Sequence, residues 1–533
     1  MRIVRLVLLT VFCLGSLFSI LSAAGPEPVV NADRPNIVFL LTDDHRADAL
    51  GCMGNDRIQT PHLDQLAADG VLFTQAYVTD PTCKPSRVTY LTGQYERVHG
   101  VGFSSPHSMT EAEWGRTYPA QLQASGYFTG FIGKFGVLSY YCKGNGDQLF
   151  DFWKAHDGWA KFRPTDPKYD NIREYDDYRD YESKVVTGIM EECVETFLDE
   201  RDEDQPFCLS VSYSVPHGSI TGTMLLDEGG DNRMTRPANS DPFLADHPIY
   251  GDLYRMPGLP VPGDATTDQS RFIPLDVMAY GPRRSCYSYA YTVETNAEHQ
   301  IRYYQLVTGM DQAVGRLRAS LEERGLAENT VILFTSDHGL LMGEYGMGGK
   351  GLLYDLTTHI PFIVSDPRAP EEQRGVRDES FVISADVAPT ILELAGLKPN
   401  DYGVEDPIEG RSLVPLLYGE ENPVSERESV FLENMYIGRD TPFTECVRNR
   451  EWKYVRFYDP SRQTYQDADL QFNETPPDFE QLFDLKNDPG ERTNLIDSAK
   501  DDPALSAVLE ELRDACRQRS AKLMQQREAY RAN

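Results

Sequence analysis

Positive charge is scarce in this chain. Lys and Arg number 51 against 83 Asp and Glu, a formal net charge of -32 at pH 7. A field of that sign repels nucleic acid before contact, which excludes it as a partner, and it admits an anionic substrate only into a locally cationic pocket. Elsewhere the acidity serves solubility. Cysteines are few and scattered: the nine show no CxxC pair and no small-knot spacing, so neither a zinc site nor a disulfide scaffold is read from them. Internal repeats and low-complexity tracts are missing. So are long apolar runs beyond residue 25, which excludes a membrane-spanning helix in the body of the chain.

The apolar run that does occur lies at the N-terminus. Arg2 and Arg5 precede Leu6 to Ile20, and Ser22-Ala23-Ala24 offers small residues for cleavage, the pattern of a signal peptide over residues 1–24. The expected destination is the periplasm or the extracellular space, with no stable membrane insertion after cleavage. What remains is too long for one typical domain. A division at the turn-forming Gly419-Glu420-Glu421-Asn422-Pro423 gives a large domain, 25–419, and a smaller one, 420–533. Cys13 leaves with the signal. Setting Cys83 aside for chemistry leaves seven cysteines, an odd number, from which one or two disulfides could form without a deducible pairing.

Several short runs rich in β-branched and aromatic residues end abruptly in polar groups. Asn36 to Leu41 precedes Thr42-Asp43-Asp44, Tyr127 to Ile132 precedes Gly133-Lys134, Phe207 to Val215 precedes Pro216-His217, and Val331 to Phe334 precedes Thr335-Ser336-Asp337-His338. Each reads as a buried strand. Amphipathic helices alternate with them. One spans Thr60 to Asp69, with Thr60 as its cap and Pro61 at its first position, and another runs from about His299 to Gly325. The alternation predicts a largely parallel sheet, whose ligands bind at the carboxyl ends of its strands. Every polar cluster just named falls at such an end, so all converge on one edge. Gly218 to Glu298, rich in Pro, Gly, Asp and Tyr and including Arg283-Arg284, is expected to form loops over the site. Helical spacing resumes at Asp386 to Gly396. Val430 to Met435, Glu445 to Val447 and Trp452 to Tyr458 read as antiparallel strands of the smaller domain, and a last helix covers about Pro503 to Ala529.

Adjacent carboxylates Asp43-Asp44 repel each other unless a positive charge sits between them, and Asp337-His338 poses the same problem from a second strand. A divalent cation resolves both. Ligation dominated by oxygen with one imidazole suits calcium or magnesium better than zinc. Cys83 precedes Lys84-Pro85, and Val88, Leu91 and the terminator Gly93 predict a helix of about two turns beginning near residue 84. A side chain at that position meets backbone N–H groups and a dipole that favour negative charge. The residues alone leave it open whether Cys83 is a disulfide partner, a thiolate nucleophile or the precursor of another group.

Cys83-x-Pro85-Ser86-Arg87, followed by Leu91-Thr92-Gly93, resembles the signature of the type I sulfatases, in which the cysteine is oxidised to formylglycine after translation. The resemblance extends through "NIVFLLTDDHRADALGCMGN" from Asn36, "TPHLDQLAADGVLF" from Thr60, "GYFTGFIGK" from Gly126, "SYSVPH" from Ser212, "VILFTSDHG" from Val331 and "QLFDLKNDPGERTNL" from Gln481. Asp337-His338 and "YDLTTHIPFIV" from Tyr354 are similar to the iduronate-2-sulfatase branch. This likeness implies an alkaline-phosphatase-like α/β fold: a large, mostly parallel sheet flanked by helices, and a smaller C-terminal α+β domain with an antiparallel sheet. It also implies a sulfuric ester hydrolase acting on sulfated carbohydrate, one calcium ion per chain, and a formylglycine-generating maturation enzyme as partner. Asp43, Asp44, Cys83 as formylglycine, Asp337 and His338 match the family's metal ligands. Arg87 matches the arginine that steadies the formylglycine, Lys134 the lysine of the G-K block, Lys350 the lysine on the sulfate, and His217 the histidine that assists the leaving group.

The sequence departs from the family at one place. A histidine commonly follows the G-K lysine and takes the proton from the second hydroxyl of the hydrated aldehyde, but here the run is Lys134-Phe135-Gly136-Val137-Leu138. Nothing in the sequence places His45, His99, His107 or Tyr140 in that role, which is left unassigned. Two other functions stay open: a phosphoester or phosphonate hydrolase on the same scaffold, and a catalytically silent binding protein.

Overall fold

The computed structural model describes residues 34–532 apart from 104, 106, 138–141, 143–145, 159–160, 168–175, 177, 218–245, 256–292, 399–408, 421–422, 436–441 and 459–475. The expected signal peptide, Tyr140, Arg283-Arg284 and most of the expected loop segment lie outside the described residues.

The strands in chain order are β1 (Asn36–Thr42), β2 (Val71–Tyr77), β3 (Phe128–Lys134), β4 (Phe152–His156), β5 (Phe207–Ser212), β6 (Thr330–Ser336), β7 (Leu341–Met342), β8 (Gly348–Gly349), β9 (Phe362–Ser365), β10 (Val376–Ile383), β11 (Ser429–Asn434), β12 (Phe443–Asn449), β13 (Trp452–Tyr458) and β14 (Phe479–Asp484). Eight form one sheet in the order β10-β2-β9-β6-β1-β5-β3-β4. All neighbours pair in parallel except β9, which is antiparallel to β2 and β6. The central strand β1 reads Asn-Ile-Val-Phe-Leu-Leu-Thr and is buried at every position. Burial on both faces is why its sequence is a continuous apolar run with no alternation. Ile37, Phe39 and Leu41 enter one core cluster and Val38 and Leu40 the other, so a separate core lies on each face.

The helices that matter below are α1 (Pro61–Ala68), α2 (Cys83–Thr92), α3 (Val186–Glu200), α4 (Val293–Glu323), α5 (Val387–Leu394) and α6 (Pro503–Ala532). Two differ from the sequence reading. The Thr60 hydroxyl caps no N–H of α1; it accepts from Gly51 N–H at 2.9 Å and donates to Asp64 at 3.1 Å. Asp311 of α4 instead accepts from the His62 and Leu63 N–H groups, at 3.1 and 2.8 Å. The cap comes from a residue about 250 positions away, which no local pattern encodes. Likewise α4 begins at Val293, six residues before the expected start. Its first turns carry the buried polar residues Asn296, which bonds to the Met342 carbonyl, and Glu298, which pairs with Arg302 and Arg255, so tertiary partners replace the apolar periodicity.

β11, β12, β13 and β14 form the antiparallel sheet in that order. β14 is a strand the sequence reading did not assign. Leu509, Leu512, Cys516 and Leu523 of α6 share one core cluster with Leu432, Cys446, Val455 and Leu482 of this sheet, and with Tyr77 and Tyr95 of the larger unit.

Candidate active site

The carboxyl ends of the parallel strands build one cluster. β1 ends beside Asp43 and Asp44, β6 beside Asp337 and His338, β3 on Lys134, and β5 leads through Val215 to His217. Asp337 N–H donates to the Thr42 carbonyl at 2.9 Å and Asp43 N–H to the Val215 carbonyl at 3.3 Å, so the strand ends stay paired beyond the sheet itself. Asp44 adopts φ +66°, a left-handed turn that carboxylate-bearing residues tolerate better than most. The Tyr303 hydroxyl of α4 locks that turn, donating to the Asp44 carbonyl at 2.7 Å and accepting from Arg46 N–H at 2.9 Å.

α2 supplies the cysteine. Cys83 is the first residue of this helix, one position earlier than its expected start, and Gly93 closes it at φ +69° with its N–H on the Thr89 carbonyl at 2.8 Å. Val88, Tyr90 and Leu91 bury in the core. Ser86 Oγ donates to the Asp337 carbonyl at 2.6 Å and the Tyr90 hydroxyl to the Ser336 carbonyl at 2.7 Å, pinning the helix to the end of β6. The sequence quoted Ser86 within a motif without giving it this task, and Tyr90 and Tyr303 carried no signal beyond their apolar spacing.

Cys83 Sγ is a free thiol that lies 2.9 Å from Lys350 Nζ, 3.2 Å from His338 Nε2 and 3.6 Å from Asp43 Oδ1. Arg87 donates Nε and Nη2 to Asp337 Oδ2 at 3.0 and 2.8 Å, Nη2 also to Asp43 at 3.2 Å, and Nη1 to Ser212 Oγ at 2.6 Å. Lys134 Nζ contacts Asp43, and Lys350 Nζ donates to Asp44 at 2.8 Å. His338 Nδ1 is 3.2 Å and His217 Nε2 3.9 Å from Asp44 carboxylate oxygens. All nine residues singled out in the sequence therefore meet here. His45, His99 and His107 are engaged elsewhere: with the Ala49 carbonyl, with Thr89, and with Glu113.

Three carboxylates thus face Arg87, Lys134 and Lys350, so the cations here are matched by acids in contact with them. Burial raises the Asp43 carboxyl, but Lys134 foremost among the neighbouring cations holds it well below the usual range; Asp44 comes down to about 2 against the same burial, chiefly through Lys350. Burial and Asp43 push the Cys83 thiol up, and Lys134, Lys350 and His338 outweigh them, leaving it well below the usual thiol range. Exposure marks the entrance: the His217 and Lys350 side chains retain 13 and 19 %, against 6 % for Lys134 and 0–2 % for the acids, Arg87 and His338.

The donor set also fits a cation. Ligand atoms of Asp43, Cys83, Asp337 and His338 all lie within 4.8 Å of one another, as do those of Asp43, Asp44 and His217. A set of carboxylates with imidazole is that of a hard divalent ion.

A profile of the family described as Sulfatase matches residues 35–397, and one described as N-sulphoglucosamine sulphohydrolase, C-terminal, matches 343–520. The N-acetylglucosamine-6-O-sulfatase of Bacteroides thetaiotaomicron is 27 % identical over 92 % of this chain and 88 % of its own length. The steryl-sulfatase of Mus musculus is 30 % identical over 96 % of this chain and 86 % of its own. Among solved structures, a protein in complex with its substrate D-glucosamine-2-N,6-O-disulfate superposes with a TM-score of 0.62 at 24 % identity, covering 93 % of this chain and 99 % of that one. The phosphonate monoester hydrolase of Agrobacterium radiobacter also gives 0.62, at 22 % identity, covering 90 and 96 %. At those identities the structural likeness speaks to the fold.

Proposed function

The chain belongs to the sulfatase family of sulfuric ester hydrolases, and from that premise we propose that it removes sulfate from a sulfated carbohydrate by means of a formylglycine made from Cys83 and a bound calcium ion. The observation that carries this reading is the position of Cys83 Sγ: first residue of a helix, among Asp43, His338 and Lys350, and bonded to no other sulfur. Asp43, Asp44, Asp337, His338 and residue 83 would hold the cation. Oxidised and hydrated, residue 83 supplies two hydroxyls, one to attack sulfur and one to release sulfate, and the cation supplies positive charge that favours their ionised form.

The chain's own side chains do the rest. Arg87 spans Asp337 and Asp43 and keeps the carboxylates from splaying apart. Lys134 and Lys350 neutralise charge where sulfate docks, in a site too buried for water to screen them. His217, at the more open side, gives a proton to the departing sugar oxygen. The carbohydrate is supported by the names of the glucosamine-directed relatives and by the likeness of the Tyr354 block to the iduronate-2-sulfatase branch. Conversion of Cys83 requires a maturation enzyme. We further propose export through residues 1–24, and residues 25–419 as the catalytic domain beside a smaller one at 420–533.

The test is a desulfation screen on defined sulfated saccharides, using protein coexpressed with a formylglycine-generating enzyme, with phosphate analogues in parallel. Sulfate release with an aldehyde at residue 83 by mass spectrometry is expected. Preference for the phosphate or phosphonate analogue would move the protein to the alternative that shares its fold. Saccharide binding without turnover, with residue 83 fully converted, would make it a silent homologue.

A further inference from the structure

Positive charge also gathers away from residue 83. A cavity of about 610 Å³ lies where α6 and the start of β11 meet the loop that carries Glu409, Gly410 and Arg411. The Gly410 N–H donates at 3.3 Å to the carbonyl of Gly93, the residue that closes α2. The ten-residue α2 begins at Cys83, so the cavity sits at the far end of a helix roughly 15 Å long. Four cations line it: Arg411, Arg427, and Arg519 with Lys522 about one turn apart on α6. Two acids meet them. Asp386 accepts from Arg427 on both oxygens, at 2.7 and 2.9 Å, and from the Ile383 and Arg411 N–H groups, each at 2.8 Å. Glu409 meets Arg519 and Gln526, and Lys522 at 3.3 Å. Every oxygen of the two carboxylates is thus engaged, and four positive charges stand against two negative ones. The guanidiniums are also held in place: Arg427 donates to the Phe381 carbonyl at 2.6 Å, and Arg519 lies 5.4 Å over the Tyr95 ring. Burial and the like charge of Arg519 act against the Arg427 cation, and Asp386 outweighs them. The rim is open, with the Arg519 and Lys522 side chains 26 and 52 % exposed.

We propose that this cavity is a second oxyanion site, remote from residue 83, that takes a sulfate group borne on a saccharide. The choice of sulfate rests on the sulfatase reading above, whereas the excess of positive charge does not. A net charge of -32 turns anions away from most of the surface, so a sulfated chain settles where cations outnumber acids. Three guanidinium forks suit an ion that offers several oxygens, and their fixed positions reduce the freedom lost on binding. The volume exceeds that of a lone sulfate and falls in the range of small-molecule sites, which leaves room for the sugar. A chain held here by one sulfate keeps its others at high local concentration near the protein, so long substrates gain from the site and short ones do not.

Calorimetric titration of the unconverted protein with a sulfated disaccharide, the same disaccharide without sulfate, and inorganic sulfate tests this without turnover. The double variant Arg411→Gln, Lys522→Gln, at two exposed positions, should weaken the sulfated disaccharide at one class of site by about tenfold or more, because charge-assisted hydrogen bonds are lost. The unsulfated sugar should not bind there. Inorganic sulfate that binds as tightly as the disaccharide makes the released ion the occupant, and weaker binding makes it the saccharide; both keep the site. Titrations of parent and variant that coincide, or equal binding of the unsulfated sugar, overturn the proposal. Should the double variant lose its cooperative melt, Ser429→Glu, at an exposed position of the lining, should produce the same weakening, and its failure to do so is equally fatal. A parent protein that hydrolyses no sulfate ester would defeat the sulfatase reading and leave this site standing, whereas sulfate release with no second class of site would defeat this site alone.

Discussion

Two of the buried ionic clusters among the described residues are built to opposite ends. At the edge of the large sheet, Arg87, Lys134 and Lys350 oppose Asp43, Asp44 and Asp337 around Cys83, with His217 and Lys350 partly open. Between the two sheets, Arg97 is wholly buried. It donates Nε and its backbone N–H to Glu433 at 2.9 and 2.8 Å and meets Glu445 and Ser520, and Glu445 pairs again with Arg456. Burial and ion pairing are alike in both. What differs is convergence: the first cluster aims several donors at a single sulfur beside an opening, whereas in the second each charge is spent on a fixed partner from another element. A strained or charged interior is thus no mark of function unless its groups share a target that a substrate can reach.

The sharpest way to break this contrast is Cys83→Ala, for which turnover should fall to background while the melting curve stays that of the parent; retained activity would dismiss the role of residue 83. Next in size, His217→Ala should cost ~10²–10⁴-fold in turnover. The loss should be greater for an alkyl sulfate than for an aryl sulfate, because the poorer leaving group needs the proton more. Equal losses on both would remove His217 from the leaving-group side. For the sealed cluster the effect should move to stability: Arg97→Ala leaves Glu433 buried without its guanidinium partner and Glu445 with Arg456 and Ser520 alone, and denaturant unfolding should show a loss of about 3–5 kcal/mol. A nearly neutral result there would mean that the inter-sheet contact is apolar in its energetics. Smallest of all, Arg316→Ala breaks the pair with Glu191, in which the arginine side chain is 56 % exposed. A change of about 0–1 kcal/mol is expected, since solvent screens such a pair and the long side chain regains its freedom.

Much of the polar edge where these residues meet was legible in the sequence for a physical reason. A buried parallel strand is a continuous apolar run, its end is where polar residues begin, and all parallel strands end on the same side. Asp43, Lys134, His217 and Asp337 could therefore be assigned to one place without knowing the order of the strands. Cys83 stood out through its motif, and its neighbours through a resemblance spread over the chain. Strands such as β2, β9 and β14 were missed because they carry polar or short patterns that gain meaning only beside a partner. The expected start of α4 failed for a related reason: Asn296 and Glu298 are buried through tertiary bonds, which an apolar periodicity does not register.

By itself the sequence determined the family, the α/β alternation and the identity of the residues gathered at the carboxyl edge of the sheet, since each depends on local composition or on which residue follows a strand. The tertiary structure alone decided which cation meets which carboxylate, that Asp311 caps α1, and that Arg411, Arg427 and Arg519 line one cavity. Those outcomes join residues far apart in the chain, 306 positions for Lys350 and Asp44. Contacts at that separation are set by how strands are ordered and how helices cross them, and neither property is written in any short stretch of residues.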